Sequence, residues 1–287
     1  MDKPAGLTSH DVVVRLRRLT GQRRVGHTGT LDPLATGVLV VCLGSATRLV
    51  EYLADLPKLY RATVCLGVTT STWDAEGAVL READVSGVAR EDVDAALGRF
   101  VGRILQVPPM YSALKRNGKP LYRLARKGIT VERDAREVEV YAISMESWRP
   151  PEVTLRVHCG KGTYVRALAH DLGEALGVGA YLSALARLSV GHLTLERAVG
   201  LEALESAGVE WRRYLLRSGD ALQHLPGAVL DAATIARVRF GLAVPVETLA
   251  AEGPLCAYDG DGELVAVLRR VEGQDLWQPH KVLAGVA

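Results

Sequence analysis

Two runs with strand character, residues 137–145 and 153–159, are parted by little more than Arg149-Pro150-Pro151. No helix fits between them, so strict alternation of strand and helix is excluded and the chain must mix consecutive strands with separate helices. A third strand-like run spans residues 60–66, and helical patterns fill 92–100, 122–127 and 164–176. The fold class read from this order is α+β. Neither a dinucleotide-binding nor a phosphate-loop fingerprint accompanies these elements, and no internal repeat points to a solenoid.

With 287 residues there is length for about two domains and a sizeable core. After His224-Leu225-Pro226-Gly227 the texture changes to short strands joined by Gly and Asp-Gly turns, as in Tyr258-Asp259-Gly260-Asp261-Gly262. A small β-rich domain is therefore expected over 225–287, behind a larger one over 1–224. The longest clean apolar stretch, residues 38–43, is far short of the roughly 18 residues a membrane span needs. The start lacks the look of a signal peptide, so a cytoplasmic protein with no membrane partner is expected. Cys42, Cys65, Cys159 and Cys256 form no C-x-x-C pair and read as buried small hydrophobes. The seven histidines show no metal spacing, and no metal or cofactor is expected.

The net charge of +2 names no partner, but the positive charge is clustered. Five arginines lie between Arg15 and Arg24 with no acid among them, and six basic residues lie between Lys115 and Lys127, again with no acid. Each is open to two readings, a solvated face or a grip on nucleic acid. Near the N-terminus, Thr8 or Ser9 can cap a helix with Val12, Leu16 and Leu19 on one face and Arg15, Arg17 and Arg18 on the other, ended by Gly21. An apolar segment over 37–43 and a helix around 47–53 follow. Between them and the first helix lies Gly26-His27-Thr28-Gly29-Thr30-Leu31-Asp32-Pro33, a density of polar and permissive residues that suits a functional loop held by packed elements. Taken alone, Asp32-Pro33 is equally an ordinary turn.

The loop, extended as Val25 through Gly37, resembles the active-site signature of the bacterial tRNA pseudouridine synthase B (TruB) family. Four more blocks agree with that family in order. They are Asp2-Lys3-Pro4-Ala5-Gly6-Leu7-Thr8-Ser9, then Lys58-Leu59-Tyr60-Arg61-Ala62 with residues 69–77, then Gln106 through Lys115, and Gly160-Lys161-Gly162-Thr163-Tyr164-Val165-Arg166 with Asp171-Leu172-Gly173. The likeness covers about residues 1–195. Two departures stand out. The family's short apolar strand ahead of the Asp-Lys-Pro block is not seen before Met1-Asp2, which is expected to bear on stability rather than chemistry. Leu185-Ala186-Arg187 stands where two arginines usually follow the leucine.

The resemblance implies a pseudouridine synthase fold, with a mixed, largely antiparallel sheet flanked by helices and a small PUA-like β domain at the C-terminus. It implies isomerisation of uridine 55 in the T loop of tRNA, with Asp32 as nucleophile, Tyr60 as the platform for an extruded base and Arg166 paired to Asp32. The point of attack is left open between the sugar, the base and an elimination route. It further implies that Tyr164 and Leu185 wall the pocket and that His27 fills the space the base vacates. Lys3 and the basic residues Lys115, Arg116, Lys119 and Arg123 would meet the substrate, the latter on an RNA-clamping segment over about 106–140 hinged at Gly118 and Gly128. The C-terminal domain would touch the acceptor end of tRNA, and the working unit would be a monomer needing no guide RNA. Two rivals share the basic surface: a non-catalytic tRNA-folding factor, and a synthase that depends on a guide RNA.

Overall fold

The computed structural model describes residues 1–112, 114–116, 118–248 and 253–283. The chain divides into two compact units that are discontinuous in sequence. One comprises Met1–Ser9, Leu31–Leu39 and Asp55–Gly200; the other comprises His10–Thr30, Val40–Ala54 and the chain from Leu201 on.

The first unit is built on an eight-stranded sheet. Its strands run in the order Asp2–Lys3, Thr36–Val38, Ala180–Val190, Lys58–Leu66, Glu152–Cys159, Arg136–Arg149 and Gly102–Gln106, with Leu193–Thr194 paired to the end of Ala180–Val190. Every pairing is antiparallel except that of Ala180–Val190 with Thr36–Val38. The Lys58–Leu66 strand shows why the sheet has two unlike faces. Lys58, Tyr60, Ala62, Val64 and Leu66 are buried, while the residues between them are half-buried or exposed, the period-two pattern of a sheet with one covered face. The helix Val165–Ala175 lays Ala167, Leu168, Ala169 and Leu172 into the core. It packs so closely that a Cβ on Gly173 would meet the Ala180 nitrogen at 2.1 Å.

Gly37 is a second obligatory glycine. Its φ of +96° lies where side chains are strained, and a Cβ there would stand 2.3 Å from the Arg187 carbonyl oxygen. Gly37→Ala should therefore lose about 3 kcal/mol or more of stability, combining backbone strain with overpacking against a neighbouring strand. A denaturant midpoint that stays at the wild-type value would show that the parallel pairing tolerates separation.

In the second unit, the helix Ser9–Thr20 continues from the first unit with Val12, Val13 and Leu16 buried and Arg15, Arg17 and Arg18 exposed. Gly21, at φ +68°, returns its N–H to the Arg17 carbonyl and closes the helix as expected. The strand Val25–His27 pairs with Val41–Leu43. Residues 47–53, read as one helix, instead divide between a 3₁₀ segment, Gly44–Leu49, and a single α turn, Val50–Ala54. The change of texture near residue 225 marks a four-stranded sheet of Gly227–Val229, Leu255–Tyr258, Leu264–Arg270 and Trp277–Val282. A helix that the pattern did not reveal, Ala232–Arg239, is capped by the Asp231 carboxylate, which accepts from the Thr234 N–H at 2.7 Å. Leu230, Ile235, Val238, Leu255, Leu268 and Trp277 belong to the core between them. Among the described residues no helix is long and apolar enough to cross a membrane, and no group of three or more His, Cys, Asp or Glu is placed to hold a metal ion. Of the four free cysteines, Cys42, Cys159 and Cys256 are buried and Cys65 is half-buried.

Candidate active site

Arg166 lies in the first turn of Val165–Ala175 and is 5% exposed. Nη1 donates to Asp74 Oδ2 at 3.1 Å and to the Thr72 carbonyl at 3.3 Å. Nη2 donates to Asp32 Oδ1 at 3.1 Å and to the Tyr111 carbonyl at 2.7 Å. Nε stands 3.0 Å from Asp32 Oδ2, close enough to pair charges but off the hydrogen-bond line. One guanidinium thus holds two carboxylates from different loops, its planar fork presenting separate donors to each. Asp74 is itself fixed, its Oδ1 accepting from the Glu76 N–H at 3.0 Å and from the Thr72 hydroxyl. Burying these charges is tolerable because they are paired and hydrogen-bonded.

The other carboxylate is open to a ligand. The Asp32 side chain retains 30% exposure, against 3% for Asp74. Its turn is fastened from several directions. The Ser9 hydroxyl accepts from the Leu31 N–H at 2.8 Å and donates to the Leu31 carbonyl at 3.0 Å, and the Ala35 N–H donates to the Asp32 carbonyl at 3.1 Å. Lys3 is fully buried, its ammonium donating to the carbonyls of Leu7 at 2.6 Å, Pro4 at 2.8 Å and Pro33 at 3.4 Å. Lys3 is thus an internal strut under the Asp32-Pro33 turn rather than an open contact. Desolvation pushes the Asp32 carboxyl above its ordinary range, chiefly opposed by Arg166 and reinforced by the like charge of Asp74.

Across the sheet, register pairs place Lys3 opposite Gly37, Gly37 beside Arg187, and Arg187 opposite Tyr60. Arg187, 2% exposed, also donates Nε to the Val38 carbonyl at 2.6 Å. Tyr60 is 9% exposed, and burial raises its phenol against a lowering influence from Arg187. Leu185 lies on the same strand as Arg187, opposite Ala62. Tyr164 directly precedes the helix that carries Arg166, and Gln106 pins its backbone at both ends. Gln106 Oε1 accepts from the Tyr164 N–H at 2.7 Å, and Nε2 donates to the Tyr164 carbonyl at 3.0 Å. Burial raises the Tyr164 phenol too, and both phenols feel the Asp32 charge.

Asp32, Tyr60, Tyr164, Arg166 and Leu185 therefore come from four separated stretches of sequence into one unit. His27 ends the Val25–His27 strand, half-buried, in the other unit. The basic residues sit on a hairpin of Lys115–Arg116 and Lys119–Pro120 and the short helix Leu121–Ala125. Arg116, Lys119 and Arg123 are exposed, and Arg116 donates to the Glu132 carbonyl; the side chain of Lys115 lies outside the described residues. Gly118 and Gly128 both take left-handed φ, +77° and +72°. Sequence reasoning did not single out Asp74, Gln106 or Arg187. Asp74 and Gln106 stood inside blocks already marked by resemblance, but nothing in a linear pattern says that Asp74 shares a guanidinium with Asp32.

The family model of the TruB family pseudouridylate synthase N-terminal domain matches residues 17–165, and that of the tRNA pseudouridylate synthase B C-terminal domain matches residues 166–231. The chain belongs to the TruB family. It is 51% identical over 280 residues to a tRNA pseudouridine synthase B of Burkholderia mallei (strain NCTC 10247), covering 95% of this chain and 92% of the relative. It is 52% identical over 252 residues to one of Ralstonia pickettii (strain 12J), covering 86% and 79%. Among solved structures, a Cbf5-Nop10-Gar1 complex matches with TM-score 0.72 and 30% identity over 94% of this chain and 77% of that one. An H/ACA RNP bound to a substrate RNA containing 2'-deoxyuridine matches with TM-score 0.74 and 26% identity over 99% and 83%. A TruB-family chain has a pseudouridine synthase fold and is an isomerase that makes pseudouridine.

Proposed function

We propose that this TruB-family chain isomerises uridine 55 in the T loop of tRNA, without a guide RNA, with Asp32 as the nucleophile. The observation that carries the reading is the partly exposed Asp32 carboxylate held against the buried Arg166 guanidinium. A fixed carboxylate paired with a buried guanidinium is the chemistry a base-detaching isomerisation needs. The N1–C1′ bond of the uridine breaks, a C5–C1′ bond forms, C5 loses a proton and N1 gains one, so covalent catalysis divides one hard step into easier ones with no net redox change. The target uridine is extruded from its loop, its ring stacks on Tyr60, and Tyr164 and Leu185 wall it. His27 takes the vacated place in the RNA. The buried Tyr60 phenol is the nearest group in character to relay the C5 proton.

Exposed Arg116, Lys119 and Arg123, with Lys115 beside them in sequence, neutralise phosphates from the 106–140 segment. Replacing these four by Ala should flatten the log–log salt dependence of tRNA binding by roughly 0.7 to 0.9 per lost phosphate contact. An unchanged slope returns them to a solvated face. We assign residues 1–224 to catalysis and 225–287 to a PUA-like domain that meets the acceptor end.

The purified protein, as a monomer, should isomerise an isolated T stem-loop of about 17 nucleotides and leave anticodon stem-loops untouched, since one pocket reads one flipped nucleotide in a deformable loop. Tritium release from C5-labelled uridine measures it. The likeness to an H/ACA RNP favours the guide-dependent reading as second choice. Inactivity on the T stem-loop, with activity restored by a small-RNA fraction, would establish that second reading instead.

A further inference from the structure

Trp73 adopts φ +65°, the one non-glycine residue with positive φ recorded among the described residues. For a bulky side chain that is a strained conformation, and strain persists only where surrounding contacts over-determine it. Those contacts are specific. The Trp73 ring stacks on His170 with centroids 4.3 Å apart and planes 7° apart, and the Arg133 guanidinium lies over the ring 5.7 Å from its centroid. Arg133 is tied down by donating Nη1 to the Pro108 carbonyl at 3.0 Å.

The geometry matters because of what lies next door. Arg166 and His170 are four apart on Val165–Ala175, so they share one helix face. Trp73 and Asp74 are consecutive, and in extended backbone their side chains would point opposite ways. The left-handed turn at Trp73 lets both address the same helix, Asp74 at Arg166 and Trp73 at His170, one turn along. Backbone bonds from the Leu182 N–H to the Trp73 carbonyl at 3.0 Å and from the Ala75 N–H to the Leu182 carbonyl at 3.1 Å hold the loop to the central strand.

We infer that Trp73, clasped by His170 and Arg133, is a positioning residue that fixes Asp74 on Arg166 and so aims Arg166 at Asp32. The inference rests on the proposed role of Asp32. Arg133 belongs to the 106–140 segment, so the same contact links the proposed RNA-gripping element to the carboxylate pair.

The test compares full-length wild type, Trp73→Leu, Trp73→Phe and Arg133→Met on the T stem-loop, reading single-turnover isomerisation and RNA dissociation constants separately. Trp73→Leu should slow isomerisation about tenfold or more, since small misplacement of a catalytic pair is costly, while binding stays within about threefold. Trp73→Phe, which keeps an aromatic face for His170 and Arg133, should recover most of the rate. Arg133→Met, which takes the guanidinium off the Trp73 face, should also slow isomerisation. A wild-type rate in Trp73→Leu and Arg133→Met overturns the inference, as does a loss confined to binding or a Phe variant as slow as the Leu variant. If Trp73→Leu fails to fold, Trp73→Phe and Arg133→Met decide by the same criteria. Inactivity of the wild type itself would instead overturn the reading of the substrate.

Discussion

Asp32→Asn should leave no measurable isomerisation while tRNA binding stays within about tenfold of wild type, because the amide cannot act as nucleophile yet has the same shape. The fold should survive. Asn keeps an acceptor for Arg166 Nη2, and Asp74 remains to balance the guanidinium. The same carboxylate sets the pH profile. In the proposed role it works ionised, and burial raises its pKa, so activity should fall as pH falls through a value above the usual aspartate range. Asp74→Asn removes a like charge that raises Asp32, so this acid limb should move to lower pH. Pure Asp32→Asn protein that turns over at any measurable rate, by tritium release, would end the nucleophile assignment.

Arg166→Met should damage stability as well as rate. It leaves Asp32 and Asp74 facing a site without their shared cation, and strips a donor from the Tyr111 and Thr72 carbonyls. Breaking a buried pair by removing one partner costs about 3–5 kcal/mol. Isomerisation should fall by at least about 10²-fold, since the proposed nucleophile loses its orientation. Arg166→Lys keeps the charge but replaces the planar fork by one compact group of donors, so it should recover stability more than rate. The double variant Arg166→Met with Asp74→Asn should also recover stability, because one uncompensated charge goes, and remain inactive. Thermal melts and single-turnover rates on the same preparations separate these effects. Equal recovery of stability and rate by Lys would mean that Arg166 supplies charge alone.

Much of the candidate site was legible in residue types. A loop dense in Gly, Thr, His and Asp between packed elements marks a functional turn, and its resemblance to one family names Asp32, Tyr60 and Arg166 together. The strand Lys58–Leu66 and the helix Val165–Ala175 follow from periodicity, which is local. Other elements were not legible for an equally physical reason. Ala180–Val190, rich in Ala and Leu, suits a helix as well as a strand, and only partners on both edges, Thr36–Val38 and Lys58–Leu66, decide the matter. Ala232–Arg239 is eight residues long, too short for its pattern to stand out.

By itself, then, the sequence determined the α+β class, the loop that carries Asp32 and the basic stretch from Lys115 to Lys127, since each depends on neighbours within a few residues. Tertiary structure alone decided that Asp32 shares Arg166 with Asp74, that Lys3 is a buried strut, that Arg187 faces Tyr60, and that His10–Thr30 and Val40–Ala54 join the unit built from Leu201 on. Apart from the bonds of Lys3 to Pro4 and Leu7, those pairings join residues dozens to more than a hundred positions apart. Long-range pairing is set by complementary packing and charge across the whole fold, which no local window contains.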